Sequence, residues 1–182
     1  MHLAEGFERA AVTLAEAVGL WGIMDVEAVL HDGQLKVLEI DARFPSQTPS
    51  AVYHSTGFNM VEALARIFLP EEGGVPGSIH GGRARGSVLE HIRVEGGQLA
   101  VCGERIMAEA GPLHLEADFF GAQEALTNHA PGREDWVATL MIEGSNLQEA
   151  WDRRDGVIRE IRDRCGLTGY RDASPREPAW NP

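Results

Sequence analysis

Lysine is all but missing from this chain of 182 residues: Lys36 is the only one, beside fifteen arginines. A function that needs several lysines to hold phosphates is therefore not complete within it. Positive charge is scarce altogether. The formal net charge of −12 argues against nucleic acid or an anionic membrane as the main partner, since both require a basic surface. A cationic or metal-bridged partner suits it better. Cysteine is equally sparse, and Cys102 and Cys165 stand far apart with no CxxC or Cys/His spacing, so neither a zinc site nor a disulfide framework is indicated. A reducing cytoplasm is the default expectation. No run of about 18 apolar residues is present to span a bilayer, and the first residues lack the basic-then-apolar pattern of a secretory signal. The seven histidines are scattered, none in an HExxH pair, which gives a histidine-based metal site no support.

What is present is an α+β pattern. Apolar residues recur at three and four from Leu3 to Val18, the signature of an amphipathic helix, and Gly19 stops it. "GIMDVEAVL" and "LKVLEIDAR" form the arms of a hairpin around Asp32 and Gly33. Phe44 to Gly57 reads as a loop, and Asn59 to Leu69 as a helix, with Asn59 and Glu62 spaced as a capping box and Pro70 ending it. The glycine-rich stretch 71–86 marks a boundary between residues 1–70 and residues 71–169. Beyond it, "SVLEHIRV", "GQLAVCG", "HLEADFF" and "WVATLMIEG" read as strands. A last helix follows Ser145, with Gln148 completing a capping box and Leu147, Trp151, Val157, Ile158 and Ile161 as its buried stripe. The tail 170–182 carries little core and is expected to fray.

The hairpin gathers charge. Residues directly opposite in an antiparallel pair point to the same face. A two-residue turn at Asp32 and Gly33 sets Glu27 opposite Leu38 and mixes acids with apolar residues. A three-residue loop, Asp32 to Gln34, sets Glu27 opposite Glu39, Asp25 opposite Asp41, Val26 opposite Ile40 and Ala28 opposite Leu38. That second register sorts the faces and is the one expected. It places Ile23, Val29 and Val37 on the acidic face and Lys36 on the other. Like charges directly opposite repel by up to about 1 kcal/mol per pair, so a cation belongs there. Carboxylate oxygens without sulfur or imidazole suit a hard ion such as Mg²⁺, which fills its shell with water and phosphate oxygens. The plainer alternative, acids that simply meet solvent, stays open, although the apolar residues sharing the face weigh against it. Arg43 continues the alternation past Asp41, either as an ion-pair partner or as a bidentate grip on phosphate or carboxylate.

An acid on one strand and E-x-N/D-x-R on the next, here Glu27 and Glu39, Asp41, Arg43, resemble the ATP-grasp ligases. Asp41 stands where asparagine is common in that superfamily. The longer stretches "LKVLEIDARFPSQTP", "AVYHSTGFNMVEAL", "VLEHIRV", "DFFGAQEALTN" and "WVATLMIEG" resemble, more narrowly, the ligases that join methylornithine to lysine in pyrrolysine biosynthesis. The resemblance runs from about Phe7 to Leu167. It implies the C-terminal lobe of an ATP-grasp fold, an antiparallel sheet with packed helices, and an ATP-dependent carboxylate–amine ligation through an acyl phosphate.

Carried over by position, Glu27 and Glu39 serve nucleotide and metal, Asp41 completes the Mg²⁺ ligands, and Arg43 is catalytic, stabilising charge on the transferring phosphate. Ser46, Gln47, Thr48, Tyr53, Ser55 and Thr56 line an amino-acid pocket. Glu90 and Arg93 are second-lobe residues of the same cleft, although they lie on opposite faces of one strand. Ser46 and Thr48 beside prolines also read as plain turn residues. The resemblance further implies a missing N-terminal half, in the same or a separate chain, and inactivity without it. A different amino-acid ligase, a non-catalytic interaction module and a homo-oligomer remain alternatives.

Overall fold

The structure, a computed structural model, describes residues 3–69 and 85–173. The chain divides into two units, Met1–Gly82 and Arg83–Pro182. Most of the glycine-rich boundary and the last part of the tail lie outside the described residues.

In the first unit the stripe beginning at Leu3 forms α1 (Leu3–Ala17), and Gly19 follows in the left-handed region at φ 59°. β1 (Asp25–His31) and β2 (Gln34–Asp41) make an antiparallel two-stranded sheet. Asp32 and Gly33 both have positive φ, 50° and 71°, as a two-residue hairpin turn of type I′ requires, a turn whose twist matches that of the strands. The loop is therefore shorter than the three residues expected. His31 pairs with Gln34, Leu30 with Leu35, Val29 with Lys36 and Ala28 with Val37. The register then shifts between Glu27 and Ala28, leaving Leu38 as an extra residue in β2, and resumes with Glu27 opposite Glu39, Val26 opposite Ile40 and Asp25 opposite Asp41. The bulge reconciles a tight turn with sorted faces. It also corrects the side assignments near the turn. Opposed residues share a face, so Lys36 follows Val29 onto the acidic side, and Val37 follows Ala28 to the other.

The segment after β2 is not all loop. α2 (Thr48–Thr56) starts with a proline in its first turn, where the fixed φ suits a helix and the missing N–H is not needed. It ends at Gly57, φ 77°, whose N–H donates to Tyr53 O at 2.7 Å. In α3 (Met60–Phe68), Asn59 Oδ1 accepts from the N–H groups of Val61 and Glu62 at 3.0 and 3.1 Å. The Glu62 carboxylate pairs with Arg66 one turn on.

The second unit is one six-stranded sheet with a helix on it. In chain order it contains β3 (Gly86–Glu95), β4 (Gln98–Cys102), α4 (Arg105–Ala108), β5 (His114–Ala117), β6 (Glu124–Thr127), β7 (Trp136–Gly144), α5 (Leu147–Arg164) and β8 (Gly169–Arg171). The spatial order is β5-β6-β7-β3-β4-β8, antiparallel throughout except for the β4–β8 pair. The fold is thus α+β with a mixed, largely antiparallel sheet. Val88, Ile92 and Val94 of β3, with Ala138, Leu140 and Ile142 of β7, close onto Val157, Ile158 and Ile161 of α5 to form the core.

The "HLEADFF" stretch is a strand only to Ala117. Asp118 and Phe120 turn to positive φ, 55° and 50°, and a 3₁₀ turn at Phe119–Gly121 sets Phe119 edge-on to Trp136, with ring centroids 5.7 Å apart. Strand β8 takes in Tyr170 and Arg171, so the residues where fraying was expected to begin are paired in the sheet.

Helix α5 departs from the reading in two ways. Its N-cap is Asn146, whose side chain accepts from Glu149 N–H at 2.9 Å, while Glu149 accepts from Ser145 N–H at 2.8 Å and from the Ser145 hydroxyl. The capping box lies one residue past the expected one. These two bonds, hydroxyl first, hold the Glu149 carboxyl below its ordinary value. Its buried stripe is Ala150, Arg154, Val157, Ile158 and Ile161, with Leu147 exposed. Gly86 and Gly144 pair across β3 and β7 beneath the start of α5, and a Cβ on either would stand 2.2 Å from Asn146 O or 2.4 Å from Ala150 N. No helix among the described residues is long and apolar enough to cross a membrane.

Candidate metal and phosphate site

The hairpin presents its acids in two tiers. Glu27 and Glu39 face each other across the strands just above the bulge, and Asp25 and Asp41 form the next same-face pair at the open end. Glu27 and Glu39 are exposed, whereas Asp25 and Asp41 are half-buried. Arg43 binds the Asp41 carboxylate through Nη2 and donates from Nη1 to Phe44 O at 3.3 Å. That pair neutralises the charge that aspartate adds at this position.

The set expected to hold a metal was Glu27, Glu39 and Asp41. Among the described residues no group of three or more His, Cys, Asp or Glu side chains is arranged to hold a metal ion. What the register does bring together is a two-carboxylate, all-oxygen donor pair, and Mg²⁺ commonly binds through one or two carboxylates and takes its remaining oxygens from water and phosphate. The donor chemistry fits such an ion.

Beyond Arg43 the chain turns into α2. Thr48 N–H donates to Pro45 O at 3.0 Å, and Gln47 is the N-cap without a side-chain capping bond. Ser46 and Gln47 sit at this entry, and Tyr53 is exposed on the helix with its ring edge-on to His54, centroids 5.9 Å apart. Ser55 and Thr56 direct their hydroxyls along the helix. Ser55 Oγ donates to Ala51 O and Thr56 Oγ1 to Val52 O, each at 2.6 Å, and Thr56 Oγ1 accepts from Phe58 N–H at 3.1 Å. Their O–H donors are therefore committed to the backbone of the last turn.

Glu90 and Arg93 belong to the second unit. Glu90 is in the core, with its carboxylate 2.6 Å from Nε of the fully buried Arg154. Arg154 Nη1 also lies 3.0 Å from Asp155, Tyr170 Oη and Asp172, and Tyr170 Oη donates to Asp172 at 2.8 Å. Burial alone pulls the Arg154 guanidinium down, but the bond and charge of Glu90, followed by Asp155 and Tyr170, outweigh it and hold it above its ordinary value. Burial, with the bond to Asp172, raises the Tyr170 phenol.

Arg93 lies on the other face of β3, 3.9 Å from Glu95. It borders a cavity of about 290 Å³ together with Ile106, Asn128 and Val137. On that face His91 Nδ1 and Thr139 Oγ1 are 2.8 Å apart. Burial lowers the His91 pKa, partly offset by Glu104 and Glu90. A wider cavity of about 720 Å³ lies against Phe120, His129, Trp136 and Arg164. There the Arg164 guanidinium sits 4.8 Å over the Phe120 ring, and burial raises the Cys165 thiol.

Sequence reading missed Arg154. The signal was the gap between Trp151 and Val157 in the stripe of α5, where helical spacing calls for one more inward side chain and the residue supplied is a cation.

An acid pair with an arginine on a hairpin supplies groups that bind a hard cation and an anion such as phosphate or carboxylate. Comparison with known proteins narrows it. No protein-family profile matches the chain. It is similar, however, to 3-methyl-D-ornithine–L-lysine ligases of Methanosarcina. It is 34% identical to the Methanosarcina acetivorans enzyme over 170 residues, which is 88% of this chain and 42% of the relative. To the Methanosarcina mazei and Methanosarcina barkeri enzymes it is 35% and 40% identical, over 91% and 88% of this chain and 43% and 42% of theirs. The chain is a relative of part of these ligases and spans about two-fifths of their length.

Proposed function

We propose that this chain is the C-terminal half of an ATP-dependent carboxylate–amine ligase of the ATP-grasp type, joining methylornithine to lysine in pyrrolysine biosynthesis. The observation that carries this reading is the similarity, over 88–91% of this chain, to part of three methylornithine–lysine ligases. The face-to-face register of Glu27 and Glu39 supports it independently. In such a reaction the amino-acid carboxylate attacks the γ-phosphate of ATP to give an acyl phosphate. The amine of lysine then displaces phosphate and forms the amide.

Glu27 and Glu39 supply the oxygens that hold Mg²⁺, with Asp41 at the open end of the same face. Mg²⁺ neutralises charge on the nucleotide phosphates. Arg43, already turned along this face by Asp41, stabilises charge on the γ-phosphate or on the acyl phosphate. Ser46, Gln47, Thr48 and Tyr53 meet the amino acid, with Ser55 and Thr56 behind them shaping the helix end. Lys36, brought to the acidic side by the bulge, is the only lysine of the chain. The lysines that grip the other phosphates belong to the missing half, and the chain by itself is inactive.

The test is to supply that half, fused or as a separate polypeptide, and to measure ADP release and product mass with lysine and methylornithine. Glu39→Gln removes a ligand oxygen's charge with almost no change in volume, and it is expected to abolish ADP formation while Tm stays the same. Normal turnover in that variant overturns the metal assignment. A product with another amino acid keeps the ligase class and changes its substrate.

A further inference from the structure

The wider cavity of about 720 Å³ is bordered, among the described residues, by side chains of the second unit alone. Pockets that hold small molecules run from roughly 300 to 1,000 Å³, so its size suits one. No residue given to metal, nucleotide or amino acid lines it. Its inner wall is aromatic. Trp136 is buried, Phe120 lies parallel to it with ring centroids 6.4 Å apart, and His129 stands at 72° to Trp136 and 75° to Phe120. Val94 and Leu167 add aliphatic surface.

The loop 128–135 on its rim is tied in place. Asn128 Oδ1 accepts from Val137 N–H at 2.9 Å, and Asp135 Oδ1 accepts from Gly96 N–H at 3.0 Å. Arg133 donates from Nε to Asp135 O at 2.7 Å and from Nη1 to Asn128 O at 3.3 Å, which commits it to the backbone. Arg164 differs. Its guanidinium rests 4.8 Å over the Phe120 ring, and among the described residues it makes no hydrogen bond, its ion-pair partner Glu160 being 3.7 Å away. A guanidinium stacked on a ring keeps its N–H fork in the plane, where a carboxylate can take two of them. Burial raises the Cys165 thiol against the pull of Arg164, so this neighbour adds no negative charge. Glu134 and Asp135 also line the cavity, and Arg164 is the last residue of α5, at the negative end of the helix dipole. That surrounding charge opposes a phosphate dianion and tolerates a single carboxylate.

We propose that this cavity binds a small aromatic carboxylate, with the carboxylate on the Arg164 fork and the ring against Phe120, His129 and Trp136. Ring-to-ring contacts of this kind add to the area they bury, and the fork fixes which end of the ligand points outward. This is a ligand site in the second unit, distinct from the hairpin acids and the start of α2, and it stands whether or not the chain belongs to a working ligase.

The experiment titrates the full chain with naphthoate by calorimetry and records saturation transfer to the ring protons by NMR. The expected result is one-to-one binding with saturated ring protons. Naphthamide has the same shape without the charge and is expected to bind at least tenfold more weakly. Decahydronaphthoate keeps the charge without the aromatic ring and is expected to bind at least threefold more weakly. Arg164→Gln is expected to weaken naphthoate at least tenfold at an unchanged Tm, since the side chain is exposed, and Arg105→Gln, exposed elsewhere in the second unit, to bind it as before. Absence of binding, equal binding of naphthoate by Arg164→Gln, or equal binding of the amide overturns the proposal. So does equal binding of the saturated acid, or tighter binding of naphthyl phosphate than of naphthoate. ADP release by the assembled ligase is read in a different assay, so the failure of this site and the failure of the ligase reading are told apart.

Discussion

Glu90→Gln is the sharpest test of how the second unit is held together. Arg154 has no exposed surface and Glu90 is 5% exposed, so the pair is shielded from water and its charges depend on each other. Removing one partner of such a pair typically costs about 3–5 kcal/mol, because the remaining charge stays buried. Arg154 keeps Asp172 and the more exposed Asp155, which places the expected loss at the lower end, about 3 kcal/mol. For a chain of this length each kcal/mol lowers Tm by about 2–4 °C, so calorimetry is expected to show a fall of roughly 6–12 °C. Arg154→Met alone strands Glu90 instead, and the double variant is expected to be more stable than the sum of the singles predicts, with positive coupling in the cycle. In the assembled ligase Glu90→Gln is expected to leave KM for both amino acids unchanged at 25 °C. A raised KM with an unchanged Tm refutes the structural role and returns Glu90 to the substrate cleft where the resemblance had put it.

Other expectations follow from the same geometry. The His91 pKa is lowered in the folded state, chiefly by burial, so the unfolded chain binds the proton more readily. The stability this contributes is fully present above the unfolded value of 6.5 and is lost as pH falls from there toward the lower folded pKa. Urea titrations at pH 7.5 and 5.5 are expected to show that slope, and His91→Gln to flatten it. Gly144→Ala drives a methyl group against the backbone of α5, and a loss of about 1–3 kcal/mol is expected, as for overpacked cores, measured by chemical denaturation. An unchanged midpoint refutes the close approach. Asn146→Ala removes the cap of α5 and is expected to cost about 1 kcal/mol. In the complete enzyme, Arg43→Lys keeps the charge and loses the planar fork, so its kcat is expected to fall at least tenfold while metal binding persists.

Local chemistry made much of this protein readable before its structure. The three-and-four spacing from Leu3, the Asn59 cap, and the apolar strands around Ile92 and Leu140 each depend on residues within a few positions of one another, and each forms as written. The pairing of Glu27 with Glu39 was legible for a related reason: period-two alternation penalises any register that mixes the faces. Tertiary structure decided the rest. A tight turn and a sorted face are incompatible at constant register, and only the assembled hairpin shows that a bulge at Leu38 resolves them, moving Lys36 to the acidic side. Strand β8 is three residues long and exists because β4 offers an edge and Arg154 ties down Tyr170 and Asp172. Arg154 itself looks like a surface residue until Glu90, 64 positions earlier, is folded against it. Sequence carried the chemistry of neighbours. Which distant charges meet depends on long-range packing that no local pattern encodes.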